Sequence, residues 1–147
     1  MYAPEGGSNQ EWIEIYNNGE SIDLDGWRFF NSGSDSAPLR TLGSFVLDSG
    51  DFALITKSSN AINFSGQIFT ASTFSLPDDS AKYNTYKGIY SDTTKNNGDS
   101  LIYDTGLGGS KDSGESLQLI DGSWLASVPT PGVENEAGDS TEGGPVD

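Results

Sequence analysis

The chain has 147 residues, among them three Trp, six Tyr and seven Phe, and it sets seven Lys and Arg against 22 Asp and Glu for a formal net charge of -15, with neither Cys nor His. One domain of this length buries ~68% of its unfolded surface, and its negative field repels nucleic acid and anionic headgroups. Without Cys or His there is no disulfide framework, no thiolate or imidazole metal site, no thiol nucleophile and no Ser-His-Asp triad.

No apolar run approaches the ~20 residues of a membrane span, so no direct membrane insertion is expected. The chain opens almost directly onto a strand-like segment without a basic-then-apolar leader. It therefore reads as an excised fragment whose signal peptide and anchor lie elsewhere.

EWIEIY (Glu11 to Tyr16) is the first apolar burst: Ile13 and Ile15 share one face, Trp12, Glu14 and Tyr16 the other, the period of a half-buried strand. NNG (Asn17 to Gly19) stops it. IDL (Ile22 to Leu24), the Asp25-Gly26 turn and WRFF (Trp27 to Phe30) follow as strand, turn and strand, and then a loop rich in Ser and Gly. SFVL (Ser44 to Leu47) and DFALIT (Asp51 to Thr56) are expected to form a hairpin across Asp48-Ser49-Gly50. QIFT (Gln67 to Thr70), TFSL (Thr73 to Leu76), YNTYKGIY (Tyr83 to Tyr90), SLIYD (Ser100 to Asp104) and ESLQLI (Glu115 to Ile120) complete the series.

No window sustains an apolar repeat at helical spacing, and 19 Gly with six Pro would interrupt a long helix. The expected fold is all-β, with roughly 8 to 10 short, mostly antiparallel strands. So many strands must close a barrel or pack two sheets, because one twisted sheet leaves an apolar face wet. The chain divides into a domain over residues 1–133 and an acidic, Gly-rich linker over residues 134–147, where ENEAGDSTEGGPVD contains no base and no aromatic.

EWIEIYN followed about ten residues later by DLDGW resembles the opening signature of prokaryotic lamin-tail domains. SGESLQLIDGSW and then PTPGVEN (Ser113 to Trp124, Pro129 to Asn135) resemble that family's terminal strand, Trp and Pro-Gly exit. The chain departs from the family pattern between Pro77 and Asn97, where the strand count is left open. The resemblance implies an immunoglobulin-like β-sandwich, appended in prokaryotes to secreted or cell-surface proteins, and it implies no reaction. Carried onto this sequence, it makes Trp12, Gly26, Trp27, Trp124, Pro131 and Gly132 structural positions. Their chemistry agrees, since Trp anchors a core, Gly permits a turn and Pro-Gly ends a strand.

Ser21, Asp23, Asp25 and Gly26 fall at the first, third, fifth and sixth places of a calcium loop, but Ser32 stands where the bidentate Glu belongs and a strand follows instead of a helix. A hairpin turn explains the same letters. The acidic pairs Asp48 with Asp51 and Asp78 with Asp79 are the remaining places that could take calcium, although Asp also favours turns for its own hydrogen bonding. No cofactor and no catalytic residue is expected. Asn63-Phe64-Ser65 is a glycosylation triplet, meaningful only in a host that modifies it.

The leading functional expectation is a monomeric structural, spacer or adhesive module, and it predicts no small-molecule pocket. The alternative is a module that binds a glycan or a protein, with Tyr83, Tyr86 and Tyr90 offering ring faces beside Asn84 and Lys87.

Overall fold

The computed structural model describes residues 11–31, 36–58, 64–76, 85–92, 94, 97–103 and 116–135. These residues hold eleven strands and no helix; none of them forms a helix long and apolar enough to cross a membrane. β1 (Trp12–Tyr16), β6 (Phe52–Thr56) and β7 (Gln67–Thr70) make a three-stranded sheet in the order β1-β6-β7. β4 (Ser36–Pro38), β3 (Arg28–Asn31), β8 (Thr85–Tyr90) and β9 (Gly98–Tyr103) make a four-stranded sheet in the order β4-β3-β8-β9. Two short pairs complete the set: β2 (Ile22–Asp23) with β5 (Val46–Leu47), and β10 (Ser116–Ile120) with β11 (Ser123–Ser127). All pairings are antiparallel except that of β6 with β7.

The period-two reading of β1 sorts its faces, but both are partly covered: Trp12 is buried and Ile13, Glu14 and Ile15 are half-buried. Ile13 and Ile15 pack against the core cluster, opposite Ile55 and Ala53 of β6, while Trp12, Glu14 and Tyr16 lie on the other face, where the Tyr16 and Phe52 rings sit 4.7 Å apart. The core draws on both larger sheets, Phe29 and Ala37 from one and Ala53, Ile55 and Phe69 from the other, with Leu47 from β5 and with Leu24, Leu39, Phe74 and Leu76 between strands. Two layers of extended chain therefore share one apolar interior, an architecture compatible with a β-sandwich. Phe29 stacks tilted on Phe74 at 4.9 Å; burying each such ring stabilises the fold by ~1.5–3 kcal/mol.

Several local expectations are corrected. The turn Asp48-Ser49-Gly50-Asp51 closes through the Asp51 N–H on the Asp48 carbonyl at 3.1 Å, yet the segments it joins are not a hairpin, because β5 pairs with β2 and β6 with β1 and β7. Asn17 explains the divergence. Its backbone accepts from Gly50 N–H and donates to the Asp51 carbonyl, drawing β6 onto β1, while its Nδ2 donates to the Leu47 carbonyl at 2.9 Å and so holds the end of β5.

Asp25-Gly26 likewise makes a turn but not a hairpin, since β2 and β3 enter different sheets. TFSL is not a strand. Phe74 N–H closes a turn on the Ala71 carbonyl at 3.0 Å, Phe74 and Leu76 are buried, and the buried carboxylate of Glu11 accepts the Leu76 N–H at 3.0 Å. The count exceeds the expected range because Ser36–Pro38, read as loop, pairs with β3, and because β11 was not separated from the chain exit.

That last strand returns through Asp121 and Gly122, both at positive φ (50° and 80°), the sign pattern of a type I′ turn. An Asp-Gly pair between apolar runs is the local signal for such a hairpin.

Candidate functional site

A trough of about 990 Å³ opens between β1, the β8–β9 pair and the β10–β11 hairpin. Its walls take both faces of β1, because that strand is an edge of its sheet. The hairpin contributes Leu117, Leu119 and Trp124, and its register places Leu119 opposite Trp124. Leu117 packs toward the core; Leu119 stays 48% exposed. Apolar contact from the hairpin thus reaches the core at its base and not at its turn.

All three Trp residues of the chain line this trough. Trp12 is buried, whereas Trp27 and Trp124 are half-buried. Among the described residues the charged groups on the walls are all acids, Glu14, Asp99, Asp121 and Glu134. Burial of Glu14 pushes its carboxyl above the usual carboxylate value of 4.5, partly offset by the hydrogen bond it accepts from the Gly132 backbone.

That bond joins β1 to the turn that follows β11. Thr130 to Val133 forms a turn closed by Val133 N–H on the Thr130 carbonyl at 3.3 Å, with Pro131 second and Gly132 third at φ 85°. These are the positions a type II turn reserves for Pro and for a residue free to take positive φ. The Gly132 N–H then points to Glu14 Oε2. Gln118, buried in β10, fixes the approach: its amide nitrogen, Nε2, donates to the Val128 carbonyl at 2.6 Å and to Ser116 Oγ at 3.1 Å. Asn135 Nδ2 reaches the Leu119 carbonyl at 3.3 Å, so contact continues past residue 133.

The structural positions fall into two groups. Trp12, Trp27 and Trp124 line the trough; Trp27 also packs on the core cluster, and its carbonyl accepts the Leu39 N–H at 2.8 Å. Gly26, at φ 80°, lies in the turn that Trp27 N–H closes on Leu24, and Pro131 and Gly132 make the exit turn. Trp124 stands outside the main core cluster.

Asp48 accepts the Ser21 hydroxyl at 2.6 Å, Asp23 accepts the Asp25 N–H at 2.9 Å, and Asp51 is exposed. Among the described residues no group of three or more acids gathers to hold a metal ion. Asp78 and Asp79 lie outside the described residues, as do Tyr83 and the side chain of Tyr86. Tyr90 is half-buried and meets Phe30 edge-on at 5.5 Å.

Glu14, Asn17 and Gln118 were not singled out by sequence. Glu14 carried a signal, being a carboxylate between two aromatics on one strand face; Gln118 carried none, since SLQLI reads equally well with its Gln in water. Comparison with family models, curated proteins and solved structures returned no match.

Proposed function

We propose that this chain is a non-catalytic structural, spacer or adhesive module of a secreted or cell-surface prokaryotic protein, built as an immunoglobulin-like sandwich similar to lamin-tail domains. One observation carries the reading: the opening and closing motifs of the resemblance touch, with Glu14 of EWIEIYN accepting the backbone N–H of Gly132 in PTPGVEN. A module set between neighbouring domains needs its entry and exit fixed, and this bond does that across 118 positions.

The net charge of -15 opposes self-association and favours a monomer. The test is turnover of peptide, ester and glycan substrates by purified protein. None is expected; turnover abolished by a single substitution would overturn the proposal.

The trough favours a second reading, a module that binds a glycan or a protein. A spacer alone has no use for an open cavity lined by every Trp of the chain, because exposed indole surface is kept dry in a purely structural core.

A further inference from the structure

We infer that the trough binds a neutral oligosaccharide, an assignment that rests on the binding-module reading. Half-buried Trp27 and Trp124 supply ring surface at the wall of one cavity. The apolar C–H face of a sugar ring stacks on such surface, as other flat apolar groups do. Asn97, Asp99, Asp121 and Glu134 line the same cavity and give amide and carboxylate groups for sugar hydroxyls. Its volume of about 990 Å³ is at the upper end of ligand sites, ~300–1,000 Å³, and holds a short chain of sugars rather than one.

Charge narrows the class. Every charged wall residue among those described is an acid, and the protein as a whole carries a net charge of -15, so uronic, sialylated and sulfated chains are repelled. The competing occupant is an extended peptide added to the edge of β1. Such a peptide draws its affinity from the backbone ladder and needs neither the indoles nor the rim of amides and carboxylates.

The experiment is titration of the full chain, read by intrinsic Trp emission, with cellohexaose, chitohexaose, laminarihexaose and maltohexaose, and with hexagalacturonate as the anionic control. At least one neutral hexaose should give a saturable shift, and hexagalacturonate none. Trp124→Ala should weaken the binding by at least about tenfold. Asp121→Asn, which keeps a residue tolerant of positive φ in the turn, should weaken it with the far-ultraviolet spectrum unchanged.

The neutral dye N-phenyl-1-naphthylamine separates the two ways of failing. Dye that brightens on binding but is displaced by no hexaose overturns the sugar assignment and leaves the binding-module reading standing. Dye displaced only by an extended Val- and Thr-rich peptide also overturns it, in favour of strand addition. Binding of neither dye nor sugar overturns both.

Discussion

The segment from β1 to Leu76 and the C-terminal hairpin are held by different forces. Every buried apolar side chain of the described residues lies between Trp12 and Leu76, while the buried residues of the hairpin are Ser116 and Gln118. The hairpin leaves Leu119 and Leu125 about half exposed, at 48% and 45%. Apolar burial is non-directional and cooperative over a core, whereas a buried amide stabilises only while its own partners are in place. The first region therefore sets global stability, and the hairpin opens at lower cost, as elements with few apolar contacts do.

Substitutions should separate the regions by size of effect. Phe69→Ala, in a ring with no exposed surface, should cost about 3–5 kcal/mol in chemical denaturation. Gln118→Ala removes the two bonds that the buried amide donates, to the Val128 carbonyl and to Ser116 Oγ, and should cost about 1–3 kcal/mol in all; equal losses of amide protection in β6 and in β10 would show that the hairpin belongs to the core after all. Trp124→Ala should cost about 1–2 kcal/mol, less than a fully buried ring, because Trp124 is only half-buried.

Glu14→Gln should have the smallest effect, and its sign follows from linkage. Burial raises the folded pKa above 4.5, so the group's stabilising contribution is complete below the unfolded value and is lost as pH rises through the folded one. At neutral pH the variant, whose amide oxygen can still accept from Gly132, should melt slightly higher than the parent. The two melting temperatures should converge as pH falls toward 4.5, and a gap that widens instead would contradict the burial of Glu14.

The same contrast marks what could be read from sequence. β1, β7 and β10 were legible because alternation or an apolar run bounded by turn residues names a strand regardless of its partner. Partner choice was not legible. Asp48 to Asp51 spells a chain reversal, but the bonds of Asn17 to Gly50, Asp51 and Leu47 decide that the flanking strands go to separate sheets. Buried Phe74 and Leu76 mimic a strand through their spacing, although Ala71 to Phe74 is a turn. The trough was not legible either, since it depends on how far a hairpin of alternating Leu and Gln seats against an edge strand.

Native-state hydrogen exchange tests the account most directly. Amides of Ala53 to Ile55 in β6 should exchange only through global unfolding, and those of Leu117 to Leu119 and Trp124 to Ala126 through an earlier opening of lower free energy. Uniform protection across β6, β10 and β11, all falling together with denaturant, would contradict it.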